Sequence, residues 1–312
     1  MTMKTTRRHL AAGLAGIAFL GAAALAVSGV GCGGGSAGGG GISLATAPAG
    51  APLDFSFHPP TAPLLFAVDI ASEAELRGTS YISNLRYQWE ARDWQPEGED
   101  WTCEIRFSKL SAGMRSGGGM AMEPQDAVKR LEGFATRYRK TKDGFKPVTR
   151  PAKDEEFLAV FSQLQGGLSP LDLRVPATAP RLGESWQLPM KAGALESLRP
   201  AMKDSLITYT YTGDEVWQGR DCARLRQKAK LELDGLVTAP AEASEQGSAL
   251  VSGRIELEGS GLYDKARGLL VQSDAKLKFV INQRMANEKG EATGGEQSAV
   301  QNLTITIKQL GG

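Results

Sequence analysis

The chain has 312 residues, 41% hydrophobic and 23% charged, enough to bury one large β domain or two small ones. Its 36 Lys and Arg against 35 Asp and Glu give a net charge of +1. That balance argues against a nucleic-acid partner, which needs a concentrated basic face, and leaves no polybasic patch for anionic lipids.

Lys4, Arg7 and Arg8 precede a small-residue apolar run from Leu10 to Val30, and no acidic residue occurs before Asp54. A charged stretch followed by an apolar one is the layout of an export signal. The run ends in Gly29-Val30-Gly31-Cys32-Gly33, which resembles the lipobox of bacterial lipoproteins. The resemblance implies that residues 1–31 leave as a signal peptide. Cys32 then becomes the new N-terminus and carries acyl chains such as palmitate. Gly29 departs from the pattern, which usually has Leu or a similar aliphatic there. Two alternatives stay open: cleavage at Ala24-Leu25-Ala26, and an uncleaved helix just long enough for about 30 Å of hydrocarbon. Thr6-Arg7-Arg8-His9-Leu10 resembles a degraded twin-arginine export motif. Loss of the signal leaves 33 Lys and Arg against 35 Asp and Glu, a mature net charge of −2. If residues 1–31 leave as a signal and Cys32 is acylated, one histidine, His58, and two separated cysteines remain, too few for the usual zinc ligand sets. The expected location is the cell membrane or outer membrane, facing the periplasm or exterior. Gly33 mildly favours the outer membrane, because lipoproteins retained in the inner membrane carry Asp at that position.

Residues 32–52 form the expected lipidated cysteine and tether. Residues 33–41 are Gly, Ser and Ala only, and the chain stays uncharged up to Pro52, the composition of a flexible leash. Gly33-x-Gly35-x-x-Gly38 fits a dinucleotide fingerprint and Gly34-x-Ser36-x-Gly38 a nucleophile elbow. Neither has the strand and helix that its chemistry needs, so low complexity explains both.

The body, 53–310, reads as mainly β. Leu64 to Ile70 is an apolar run of strand length, and Tyr81 to Glu90 is rich in strand formers. Trp101, Cys103, Ile105 and Phe107 alternate with Thr102, Glu104, Arg106 and Ser108, the period of a strand with one wet face. Gln95 to Glu99 is the expected turn between them. Phe134 to Thr141 and Phe145 to Thr149 read as a hairpin around Asp143-Gly144. Two helices are expected, Gln125 to Gly133 behind Pro124 and Asp154 to Gln165 with Phe157, Leu158, Phe161 and Leu164 on one stripe.

After a loop marked by Pro176, Pro180 and Pro189, the style repeats with longer strands: Leu206 to Trp217, Arg224 to Asp234, Ala249 to Leu257, Leu269 to Arg284 and Val300 to Leu310. The pattern predicts long antiparallel strands curled into a half-barrel, with one or two short helices packed on the concave side. The body divides at most into two halves, about 53–175 and 176–310. If Cys32 carries lipid, Cys103 and Cys222 remain as an even pair, either one disulfide or two unpaired thiols. Cys103 falls on the apolar face of its strand. Cys222 alternates with Arg224 and Arg226, which points it outward.

Two short motifs carry a wider resemblance. Leu182-Gly183-Glu184-Ser185-Trp186 is followed by a Gly-x-x-Tyr-Asp-x-x-x-Gly-Leu-Leu pattern at Gly259 to Leu270, here Leu262-Tyr263-Asp264 and Gly268-Leu269-Leu270. With them the chain resembles an exported bacterial family of unknown function and, more distantly, the half-barrel of periplasmic lipoprotein carriers. The resemblance covers roughly residues 54–310 and implies a fold, with a hydrophobic cavity in some relatives.

Catalytic constellations are absent from the pattern. Beyond the signal, His58 in Phe57-His58-Pro59-Pro60 is alone, without a nucleophile or orienting acid nearby in sequence. Glu97, Glu99 and Asp100 belong to a turn, and Asp154, Glu155 and Glu156 open a helix, where acids favour the dipole. Asn302-Leu303-Thr304 matches a glycosylation acceptor on a strand of an exported bacterial-type chain and carries no weight. Tyr87, Trp89, Trp94 and Trp101 read as core and cross-strand pairs, or as the floor of a lipid or carbohydrate site. Met114 to Met122, around Gly117-Gly118-Gly119, reads as a loose loop or an apolar contact tip. The expectation is a membrane-anchored lipoprotein that is not an enzyme and has no cofactor. It acts as a binding or scaffolding module for a lipid or another envelope component. The rivals are a structural envelope protein with a packed core and a carboxylate-type hydrolase, which needs two facing carboxylates about 5–10 Å apart.

Overall fold

The computed structural model describes residues 52–311 apart from 77, 118–120, 123–125, 142–143, 149–160, 162–163, 165, 172, 174–175, 177, 190–197, 199, 204–205, 239–247 and 288–289, with backbone alone at 121–128 and 294. The signal, Cys32 and nearly all of the tether lie outside the described residues.

Thirteen strands form one open antiparallel sheet. In chain order they are β1 (Leu64–Leu76), β2 (Thr79–Glu97), β3 (Asp100–Ser116), β4 (Ala121–Met122), β5 (Ala135–Thr141), β6 (Gly144–Pro147), β7 (Ser185–Pro189), β8 (Met202–Lys203), β9 (Leu206–Trp217), β10 (Arg220–Thr238), β11 (Ser248–Asp264), β12 (Leu269–Ala286) and β13 (Ala292–Leu310). The spatial order is β6-β5-β3-β2-β1-β13-β12-β11-β10-β9-β7, with β4 on β3 and β8 on β10. The first and last long strands meet in the middle, Val68 opposite Ile307 and Ile70 opposite Ile305, so residues from both parts of the chain share one sheet. The two edges, β6 and β7, are 4 and 5 residues long and each ends in proline, which blunts further pairing.

The strands run longer than their apolar periodicity. β2 continues through Gln95 and Pro96 to Glu97, pairing with β3 down to Asp100, so the expected turn narrows to Gly98 and Glu99. β10 spans 19 residues where the pattern marks Arg224 to Asp234. Periodicity reports regular burial of one face, whereas backbone pairing continues beyond the stretch in which that alternation is regular.

The sheet has one apolar face. A transverse row runs Trp186, Tyr209, Gln227, Gly259, Ala275, Ile305, Ile70 and Leu85, one residue from each of eight neighbouring strands. Alternate positions on the opposite face are charged and paired, as in Lys228–Glu258 at 2.9 Å and Arg86–Asp69 at 2.8 Å. A transmembrane barrel turns its apolar side outward; here the apolar side is the buried one.

Two ring contacts show that the sheet curls. Phe55 packs on Trp186 of β7 with centroids 5.9 Å apart, and Phe57 packs on Trp94 of β2 at 5.0 Å. Phe55 and Phe57 are only about 7 Å apart along an extended chain, yet a flat sheet would hold β2 and β7 about 33 Å apart.

Described residues of the connection between β6 and β7 pack on the apolar face. Phe161 and Leu164 are helical and buried, with Phe161 edge-on to Phe107 and Phe134. Tyr87 donates its hydroxyl to the Leu164 carbonyl at 2.8 Å. A short 3-10 turn, Gly166–Leu171, packs against β12 and buries Leu168 and Leu171. The rest of the expected helix from Asp154 lies outside the described residues. The other helix, α1, is Asp126–Leu131, shorter than the expected Gln125 to Gly133 because Gly133 takes φ +74 and ends it. Among the described residues no helix is long and apolar enough to cross a membrane.

Candidate functional site

The inner face combines apolar cover with a few enclosed polar atoms that have no partner among the described residues, including those of Gln227, Trp186 and Trp94. Gln227 lies on β10 between Leu225 and Ala229 of the same face and has no exposed surface. Its Oε1 and Nε2 have no hydrogen-bond partner. In the next strands stand four small residues, Gly259 and Gly261 on β11 and Ser273 and Ala275 on β12, all buried. On the other side Tyr209 pairs with Gln227 and stacks on Trp186, centroids 5.5 Å apart and planes 14° apart. The indole Nε1 of Trp186 is likewise enclosed and unpartnered. A buried amide left without partners costs about 1–3 kcal/mol. The sequence carries a signal for Gln227: it takes the parity of Leu225, Ala229, Leu231 and Leu233 on one strand face, although its flanks Arg226 and Lys228 make it read as a solvated position.

One end of the sheet is closed by the two short motifs of the sequence. In the first, Gly183 turns with φ +86 and donates to the Tyr211 carbonyl at 2.7 Å, which delivers Trp186 onto Tyr209. In the second, Asp264 receives the backbone N–H groups of Ala266 and Arg267 at 3.0 and 3.1 Å and shapes the β11–β12 turn. Phe55 joins them, touching Trp186 and also Tyr263 at 5.1 Å. The Ser56 backbone N–H, with its hydroxyl, holds the Asp54 carboxyl below its usual range.

A charged cluster seals this end. The Asp264 side chain is 2% exposed and lies 3.6 Å from Arg220 and 3.9 Å from Arg267. Arg220 also donates to Gln309 Oε1 at 2.7 Å. Lys265 bridges Asp214 at 2.8 Å and Asp221 at 3.2 Å, and Tyr211 donates a short bond to Asp214. Each carboxylate here faces a cation, so the cluster is neutral and serves to close the sheet.

The other expected residues are dispersed. Cys103 on β3 and Cys222 on β10 are both free thiols, separated in the sheet by β2, β1, β13, β12 and β11, so the Cys103–Cys222 bridge is not formed. Cys222 is fully buried rather than outward, because the turn after Asp264 folds beside it: Lys265 N donates to the Asp221 carbonyl at 3.2 Å. Burial pushes its thiol up to about 12 and raises that of Cys103 further. His58 is exposed, its backbone N–H bonded to Arg267 O at 3.0 Å. Glu97 pairs with Arg139; Asp154, Glu155 and Glu156 lie outside the described residues. Tyr87 and Trp89 are core residues, the latter stacked on Phe66 at 4.3 Å. The methionine segment forms a small hairpin, Met114 opposite Met122. Among the described residues no group of three or more His, Cys, Asp or Glu is placed to hold a metal ion.

No family model matches the sequence, and no curated protein matches it. Among solved structures the chain is similar to one described as lipid–protein interactions in lipovitellin, with TM-score 0.45, 8% identity, and 81% of this chain covering 25% of that one. This chain therefore spans about a quarter of that protein's length. It is also similar to a DUF1329 family protein from Desulfovibrio piger, with TM-score 0.15, 10% identity and coverage of 78% and 85%. OpdQ from Pseudomonas aeruginosa matches with TM-score 0.18, 5% identity and coverage of 80% and 98%. All three lie below a TM-score of 0.5, so the architecture rests on this chain's own strand register. A β-rich open sheet with a single apolar face is compatible with a non-catalytic binding module.

Proposed function

We propose that this chain is an exported lipoprotein, tethered to a membrane through acylated Cys32, whose curled sheet works as a non-catalytic binding module for an apolar or amphiphilic ligand. The observation that carries the binding part is the inner face itself. It is apolar across the row from Leu85 to Trp186 and holds at Gln227 a buried amide that no protein group satisfies. The export and anchor parts rest on the residues up to Cys32 and on the uncharged tether behind them. Two or more acyl chains, at about 0.8 kcal/mol per buried CH2, make a stable anchor where one does not.

The test is native mass spectrometry on the full chain extracted from bacterial membranes with its own signal. A mass starting at Cys32 plus acyl chains, absent in Cys32→Ser, together with a non-covalent adduct, is the expected result. A bare mass cut near Ala26 removes the anchor, and an anchored protein without any adduct removes the ligand. A scaffold with a packed interior is the second reading. It is favoured by the Phe161 to Leu171 segment, which already occupies part of the inner face.

A further inference from the structure

Among the described residues the inner face keeps enclosed polar atoms without a partner at Trp94 on β2 and, far from it in the sheet, at a neighbouring pair. That pair lies on one transverse row, Gln227 on β10 and Trp186 on β7, with Tyr209 between them. Beside Gln227 the face loses its bulk: Gly259, Gly261, Ser273 and Ala275 form a two-by-two block where neighbouring positions carry Leu, Ile and Phe. Small residues fill less volume beside the amide than Leu, Ile or Phe would, and Gln227 projects from the same face of the sheet. Each observation is independent of the other, since the block is a matter of volume and Gln227 a matter of unmet hydrogen bonding.

We propose that Gln227 is the head-group contact of the ligand site, and that the ligand is an uncharged acyl amphiphile whose head both accepts and donates hydrogen bonds, such as a hydroxylated ester or amide. This rests on the binding reading above. The chemistry follows from the inventory. The carboxamide of Gln227 offers two N–H donors and one acceptor, and Trp186 offers one N–H. Donors outnumber acceptors, so the head needs a carbonyl oxygen to receive them and a hydroxyl or N–H to donate to Oε1. The row holds no charged side chain, and Arg220, Lys265 and Arg267 at the sheet end are committed to Asp264, Asp214 and Asp221. A charged head would be buried without a counter-ion, which is far more costly than burying a neutral one. The acyl chain would lie over the small-residue block, against Leu257 and Leu277 of the adjoining row.

The experiment uses the full chain, delipidated in detergent, with three probes: 1-monopalmitoylglycerol, sodium palmitate and hexadecane, read by native mass spectrometry titration. Wild type is expected to bind 1-monopalmitoylglycerol best. Gln227→Met, which keeps the volume and removes the polar atoms, is expected to weaken that probe about 5- to 100-fold and to leave hexadecane unchanged. Trp186→Phe, which keeps an aromatic ring against Tyr209 and removes the indole N–H together with part of the ring area, is expected to weaken it about 3- to 10-fold, and it stands as the second variant should Gln227→Met fold poorly. Equal binding of 1-monopalmitoylglycerol by wild type and Gln227→Met overturns the assignment of Gln227 and leaves the binding module standing. Tighter binding of palmitate than of the monoacylglycerol overturns the uncharged head. No binding of any probe by wild type removes the binding reading itself and this inference with it.

Discussion

Tyr263 donates its hydroxyl to the carbonyl oxygen of Asp54 at 3.0 Å, across 209 positions of sequence. The bond ties the segment that emerges from the tether to the β11–β12 hairpin, close to where Phe55 meets Trp186. The segment around Asp54 is thus packed into the core, with Leu53 and Phe55 both buried. Burial raises the Tyr263 hydroxyl far above its usual range, which keeps it protonated and able to donate.

Tyr263→Phe should cost about 1–2 kcal/mol, because it strands the Asp54 carbonyl while keeping the ring contacts. Gly268→Ala should cost more. Gly268 takes φ +71, and a Cβ there would stand 2.0 Å from the Ser56 carbonyl oxygen, a backbone atom that cannot move aside cheaply. Urea unfolding of both variants checks the order, and equal losses would mean that the segment around Ser56 is not held as described.

Trp89 is fully buried and stacked on Phe66, its cross-strand partner, with planes 11° apart. Trp89→Ala should destabilise by about 3–5 kcal/mol through lost burial and an unfilled hole, whereas Trp89→Phe should retain much of the stack. Thermal unfolding of the two variants against wild type reads the difference directly.

Arg220→Met should be strongly destabilising, on the order of 3–5 kcal/mol, because it leaves the enclosed Asp264 carboxylate with Arg267 alone at 3.9 Å. Adding Asp264→Asn should recover part of the loss, since the Asn side-chain oxygen still accepts the Ala266 and Arg267 N–H groups. A double-mutant cycle by denaturant titration measures the coupling, and additive losses would show that the pair does not act as a unit.

Cys222 supplies a pH dependence with a definite sign. In the unfolded chain its thiol ionises near 9, whereas in the fold it is pushed up to about 12 by burial first and then by Asp264. The native state therefore holds a proton that the unfolded state has lost, so stability is complete below about pH 9 and falls as pH rises towards 12. The slope is up to about 1.4 kcal/mol per unit from this group. Cys222→Ala should flatten that part of the profile, and iodoacetamide should label Cys222 only as the chain unfolds.

Much of the sheet was legible in the residues. Trp101 to Ser108 alternate in sequence because one face is wet, and Leu206 to Trp217 match β9 because its apolar and β-branched residues span the whole strand. The polar strand ends were not legible. Pro96 pairs with Trp101 although it looks like turn chemistry, because an antiparallel ladder needs backbone and not side-chain hydrophobicity. β7 was visible only as the short motif around Trp186. Gln227 is missed although it shares the parity of Leu225 and Ala229; what sequence could not show is that Gly259 and Tyr209 become its neighbours, since that depends on the β10 register.

The sequence by itself determined the fold class of this protein, a body of alternating strands, mainly β, behind an apolar and uncharged N-terminal stretch. These are local properties, written in composition and in period. Tertiary structure alone decided that β1 pairs with β13, that Phe55 joins Trp186 to Tyr263, that Cys222 is buried and apart from Cys103, and that Gln227 lies beside a floor of small residues. Each of these depends on which strands become neighbours. That choice comes from the summed packing of a whole face, which no short window of sequence contains.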